Sequence, residues 1–335
     1  PDHGLAIIVT AAGQQVGSPM LGTLAQSILR SAISERDGAP APAQVPGAPG
    51  PVEATAEQVA AIVGQYAGAS LTRVQATPEG ALTVDAFFGG EWLPSEVFTM
   101  RSDGLFWRTT EPSRSLQTLS AWGRTYLVMR SPEPAGTFME TTIMGEKLAA
   151  NGVLRPAWQE RLEHSWVIVN ERPDSLLWGA DPSLTLADPD ELGYVWASHA
   201  QGSTPLDPRS SDNAATMFVQ VPALGGRDMN DLNVFDQEGE EWLRFGAGIY
   251  RPVDTIPVMG EGEVRVEIGP DVAAQWRSLA VDTRLAATGG AIWRAYTPAG
   301  LPIDVAAASD VLPAGTLVAV FGEAGETVTL DAEAP

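Results

Sequence analysis

Between residues 71 and 130 short apolar–polar alternations are cut by turn signals, and that rhythm limits the fold more than any other feature of the chain. Residues 71–76 alternate, Pro78-Glu79-Gly80 turns, 81–88 alternate again, and Gly89-Gly90 turns. Residues 92–100 follow, then Ser102-Asp103-Gly104, whose Asp-Gly pair is a strong hairpin signal. Residues 105–109 and 118–130 supply further strands. Turns spaced roughly eight to twelve residues apart predict an antiparallel sandwich or barrel. Trp92, Phe98, Phe106, Trp122 and Tyr126 fall within these runs and read as core filling rather than a ligand box.

The pattern resets near Pro132-Glu133-Pro134. A helix-like piece at 146–150 leads to 154–161, and strands resume at 166–170, 176–178, 183–186 and 193–197. Residues 199–216 read as a polar loop, after which short strands recur up to 327–330. Residues 55–63 give the first region a short helical lead-in as well, so both regions share one plan. The reading is mainly β: one antiparallel barrel over 52–131 and a second, larger one over 140–331.

The beginning of the chain is different. Residues 5–9 are an unbroken apolar run rich in β-branched residues, as in a strand buried on both faces. From Pro19 to Ile33 apolar residues recur at helical spacing (Met20, Leu21, Leu24, Ile28, Ile33), with Ser18 placed to cap and Pro19 at the first helical position. Residues 37–51 form a linker, because proline at this density excludes helix and central strand. One strand and one helix cannot make a core, so the pair over 1–36 is expected to belong to a larger body.

Composition narrows the chemistry. A net charge of −22 repels phosphate backbones and disfavours nucleic acid as a partner. No run of about eighteen apolar residues exists to form a transmembrane helix. The absence of cysteine removes disulfides, thiol catalysis and thiolate-held metal. Serine nucleophiles need an adjacent base, and Ser-x-x-Lys places both on one helix face. The sole lysine, Lys147, has Met144 three residues before it, so that pair cannot form. There is no Gly-x-Ser-x-Gly elbow and no His-Glu-x-x-His zinc pair. His3, His164 and His199 stand in unrelated contexts and read as turn, packing or surface residues. Ser211-Asp212-Asn213 matches a β-lactamase element but reads as chance in a polar loop. Asp228 to Asn233 is patterned like a calcium loop, yet has Asn233 where glycine is required and Gly239 where glutamate is required. No catalytic, cofactor or metal residue is assigned.

Pro1-Asp-His-Gly-Leu-Ala-Ile-Ile-Val-Thr10, with the helix ending Ile28-Leu-Arg-Ser-Ala-Ile33, resembles the last strand and helix of a serine β-lactamase-like catalytic domain. The similarity is to the class C β-lactamase, D-aminopeptidase and esterase group of penicillin-recognising hydrolases. Members often continue through a proline-rich linker into one or two small antiparallel β-barrels, and Gly64-Gln65-Tyr66-Ala67-Gly68 resembles the opening of such a barrel. The resemblance implies that 1–36 is the end of a truncated α/β hydrolase domain and that its Ser-x-x-Lys and Tyr-x-Asn lie before Pro1. This chain would then be the non-catalytic, extracytoplasmic C-terminal part of an enzyme acting on a peptide, β-lactam or ester. The barrels would flank its active site, with 199–215 and 225–233 as candidate contacts. The competing expectation is a stand-alone two-barrel module that binds an apolar ligand or a glycan, with Trp92, Trp158, Trp242 and Trp293 as stacking platforms.

Overall fold

Each β region opens on a short helix that closes one end of a barrel. The computed structural model describes residues 7–9, 18–38, 47–68, 70–88, 91–93, 95–132, 139–149, 152–199, 202–219, 230–270, 273–287, 292–305 and 310–335. Before the barrels, helix α1 (Ser18–Asp37) forms as its spacing predicts. The strand expected over 5–9 is not seen: residues 7–9 lie in no strand, and 5–6 are outside the described residues.

Helix α2 (Ala56–Ile62) starts at Thr55, whose Oγ1 accepts from the Gln58 amide while Gln58 Oε1 accepts from the Thr55 amide. This reciprocal cap fixes the helix start. At its other end Lys147 Nζ donates to the Ala61 carbonyl at 3.3 Å, which satisfies a C-terminal acceptor with a cation. Ile62 is buried in the first barrel's core, and the Tyr66 hydroxyl donates to the Ile62 carbonyl at 2.6 Å.

The first barrel runs through β1 (Gly64–Ala67), β2 (Leu71–Ala76), β3 (Leu82–Phe88), β4 (Glu91–Trp92), β5 (Glu96–Met100), β6 (Phe106–Arg108), β7 (Ser115–Ala121), β8 (Arg124–Pro132) and β9 (Met139–Lys147). All neighbours are antiparallel. β4 and β5 both pair with β3, so they share one strand position, and β9 closes onto β1 to give eight. The first barrel therefore does not end at 131. The residues read as helix-like at 146–150 begin inside its closing strand. Closure uses a bulge: Leu127 faces Gly145 and Val128 faces Ile143, leaving Met144 as the extra residue. Bulges bend a strand and sharpen its twist, as closure requires. The backbones are tight here. A Cβ on Gly145 would come 2.8 Å from the Ala67 carbonyl carbon, and one on Gly68 would come 2.0 Å from the Met144 oxygen.

Helix α3 (Pro156–Arg161) leads into the second barrel, with proline at its start. The strands are β10 (Ser165–Ile168), β11 (Ser183–Ala187), β12 (Val195–His199), β13 (Gly202–Asp207), β14 (Ala214–Met217), β15 (Leu232–Gln237), β16 (Glu240–Phe245) and β17 (Gly248–Pro252). Each is antiparallel to the next, and β17 closes on β10. The expected loop over 199–216 is largely strand, since β13 and the start of β14 lie inside it. The expected strand at 176–178 is a short 3-10 helix instead.

The second barrel also stops short of 331. The remaining strands form two further sheets. One has the order β18 (Val258–Met259), β20 (Ala274–Leu279), β25 (Leu317–Phe321), β22 (Ile292–Tyr296), β23 (Pro302–Ile303). The other has β19 (Gly262–Glu267), β26 (Thr327–Glu333), β21 (Thr283–Ala287), β24 (Val311–Leu312). Met259, Leu279 and Val318 from one and Val266, Leu285 and Leu330 from the other share a core. The five-stranded sheet turns Trp276, Tyr296 and Phe321 toward the second barrel, around Trp178. The Trp178–Phe321 contact is edge-on at 4.7 Å, and the Trp276 indole N–H donates to the Ile168 carbonyl at 2.7 Å.

Candidate functional site

Strand alternation decides which barrel residues are available for a site. In β8 Leu127 points into the first core, while Tyr126 and Val128 on either side of it point out. In β12 Val195 and Ala197 line the second core and Trp196 points out. These outward residues meet: Ala67, Leu71, Phe87, Tyr126 and Val128 pack with Tyr194, Trp196 and Val219 in one buried cluster. The two barrels are joined through their outer walls. Tyr194 stacks on Phe218 with ring centres 4.6 Å apart, and its hydroxyl donates to the Ala149 carbonyl at 3.0 Å. Burial pushes the pKa of the Tyr194 hydroxyl up.

A polar row borders this apolar seam. Gln65, Arg73 and Asp85 are directly opposite one another across β1, β2 and β3, on the outer face. One row away stand Ala67, Leu71, Phe87 and Trp92, paired in the same manner. Arg73 Nε donates to Asp85 Oδ2 at 3.0 Å, and the Ser95 hydroxyl donates to the other oxygen of Asp85. The Arg73 guanidinium lies 4.0 Å from the centre of the Trp92 ring, a cation–π contact. From the second barrel, Asp190 Oδ2 accepts from Arg73 Nη1 and from Gln65 Nε2, both at 2.9 Å. Elsewhere on the seam Arg124 pairs with Glu146 and donates to the Phe218 carbonyl at 3.4 Å.

The closed end of the second barrel holds another network. Trp158 of α3 is fully buried, and its indole N–H donates to the Ser211 carbonyl at 2.8 Å. Arg161 Nε and Nη2 reach the two oxygens of Glu241 at 2.8 and 2.6 Å. Arg161 also donates to the Asp212 carbonyl and, at 3.3 Å, to Asn213 Oδ1. Its hydrogen bonds hold the Glu241 carboxyl below the usual range. Arg155 pairs with Asp212 at 3.0 Å, and Ser211 Oγ accepts from the Asn213 amide. All three members of Ser211-Asp212-Asn213 are thus engaged in seating α3.

The other sequence candidates do not converge. His164 lies 3.2 Å from Asp254 on the surface. His199 packs edge-on against Phe245 at 5.5 Å, and burial pushes its pKa down. His3 and Asp228 fall outside the described residues. Asp231 accepts from the Met217 amide, and Asn233 is part of β15. Among the described residues no group of three or more metal-type side chains gathers, and no helix is long and apolar enough to cross a membrane. Trp158 and Trp242 are buried, and Trp92 and Trp293 are half-buried. Trp122, expected in the core, is 81% exposed at the β7–β8 hairpin tip, where it and Gly123 both have positive φ (52° and 74°).

Fold and seam define a class: a tandem of closed antiparallel β-barrels, each led in by a plugging helix and fused side to side. Neither a family model, nor a curated protein, nor a solved structure matches the chain.

Proposed function

We propose that this chain is the non-catalytic, extracytoplasmic C-terminal region of a penicillin-recognising-type serine hydrolase. In this reading the chemistry is acyl transfer through a serine ester on a peptide, β-lactam or ester, carried out by residues that precede Pro1. The paired barrels flank that catalytic part and shape access to its cleft. The observation that carries the proposal is helix α1. Leu24 and Ile28, one turn apart, are 47% and 46% exposed. A helix that offers its apolar positions to solvent has the pattern of one made to pack on a further surface. The order of elements supports the same reading: helix, proline-rich linker, then antiparallel β-barrels, as in the family that the opening residues resemble. The stand-alone glycan module draws less support, because none of Trp92, Trp158, Trp242 and Trp293 lies open on the surface.

The test is acylation. The reading frame upstream of Pro1 should encode Ser-x-x-Lys and Tyr-x-Asn. The protein carrying those residues should be covalently labelled by a fluorescent β-lactam or an active-site acylating ester, while residues 1–335 alone should not. A signal peptide ending directly before Pro1, or labelling of residues 1–335 alone, would overturn the proposal.

A further inference from the structure

The β11–β12 connection carries two consecutive non-glycine residues in the left-handed region: Asp190 (φ 57°, ψ 25°) and Glu191 (φ 52°). Side chains rarely adopt this conformation, and two in succession persist only where the surroundings impose them. Within the turn, the Asp188 carboxylate accepts from the Gly193 amide through both oxygens, at 3.0 and 3.1 Å. That bond ties the ends of the turn together but leaves the direction of Asp190 open. What fixes Asp190 lies in the other barrel: Gln65 and Arg73 converge on one of its carboxylate oxygens. Arg73 is itself held by Asp85 and by the Trp92 face, so the receiving side is rigid before Asp190 arrives. The apolar seam beside it supplies adhesion, but apolar contact is non-directional and tolerates a pivot.

We propose that the Asp188–Gly193 turn is a strap that sets the angle between the two barrels. It is kept in its strained form by the bonds from Gln65 and Arg73 to Asp190, and releasing those bonds lets the turn relax and the barrels pivot about the apolar seam. The inference is independent of the serine-hydrolase reading, because both halves of the strap belong to this chain.

The absence of cysteine makes the test direct. Cysteines introduced at exposed Thr109 on the first barrel and Gln237 on the second take spin labels without background, and double electron–electron resonance reads the distance distribution between them. Asp190→Gly removes the carboxylate while keeping the left-handed backbone free of strain. Asp190→Asn keeps the turn's shape preference and weakens the charge-assisted bonds, and it serves if the glycine variant folds poorly. Near-UV circular dichroism checks that both barrels remain packed. The expected result is a single narrow distribution in the parent and at least a twofold broadening in Asp190→Gly, with Asp190→Asn between them. Exchange of the Gly193 amide should quicken at least tenfold in Asp190→Gly. Distributions indistinguishable from the parent in both variants would overturn the proposal, showing that the apolar seam alone fixes the angle.

Discussion

Replacing Arg161 with methionine tests how the second barrel is closed. The Arg161 side chain is 6% exposed, whereas its partner Glu241 is 49% exposed. This asymmetry sets the outcome. Methionine keeps the apolar stem of the side chain and leaves no charge stranded in the interior, and Glu241 can rehydrate where it stands. The losses are the charge-assisted bonds to Glu241 and the acceptors at Asp212 and Asn213 that α3 no longer satisfies. Charged hydrogen bonds are worth about 1.5–3 kcal/mol each net, and part of that returns as relieved desolvation, so Arg161→Met should cost about 2 kcal/mol. Glu241→Leu attacks the same bonds from the other side and strands a buried guanidinium. It should cost more, about 3–5 kcal/mol. Since the chain holds several packing units, a global midpoint would mix transitions. The assay is therefore hydrogen exchange of peptides covering residues 154–164, under native conditions and in mild urea. The reasoning is refuted if Arg161→Met is the costlier variant, or if neither speeds exchange across α3.

The same pair carries a pH dependence. Hydrogen bonds from Arg161 lower the Glu241 pKa in the folded state from its ordinary 4.5. Its stabilisation is thus complete above that ordinary value and is lost as pH falls through the lowered one, and Arg161→Met should flatten this part of an acid-unfolding curve. At the β7–β8 tip, Trp122→Asn suits a type I′ turn and should stabilise the first barrel by about 1 kcal/mol, read as slower hydrogen exchange of peptides covering β7 and β8 in mild urea; faster exchange would show that the indole has packing partners of its own. Gly145→Ala drives a methyl group against the backbone of Ala67 and should cost about 3 kcal/mol, while Gly260→Ala, which meets nothing within 4 Å, should be nearly neutral. A fragment spanning 47–149 should give dispersed amide resonances and one spanning 47–132 should not, since only the former holds β9.

The β character and the first helical lead-in were legible because they rest on local signals: period-two alternation, Gly and Asp-Gly turns, and the helix start at Thr55. The helix-like reading at 146–150 fell instead on the end of β9, and the second lead-in is α3, which starts at Pro156. Barrel closure was not legible, because it depends on which distant strand meets the first. Residues 139–147 include Gly145-Glu146-Lys147, which breaks a clean alternation, and the Met144 bulge hides the strand further. Trp122 was misplaced because an aromatic in a β run usually faces the core, and only the following Gly123 signalled a tip. The seam row follows from register. With Ala67 opposite Leu71, Gln65 must face Arg73 across the hairpin. That Asp190 meets them depends on how two barrels pack, which no local pattern records.

In both barrels each strand pairs with the one before it, with β4 and β5 sharing one position beside β3, apart from the closing contact. Tyr66 meets Lys147, and Trp166 meets Pro252, after nearly the whole of each barrel has intervened. Short-range pairings form quickly, and the entropy of closing a long loop is met only at the end. During synthesis each barrel should therefore grow strand by strand as a curling ribbon and wait for its last strand to emerge. Until β9 leaves the ribosome the first ribbon presents two raw margins to its neighbours, and that interval is when nascent chains of this protein are most open to joining one another.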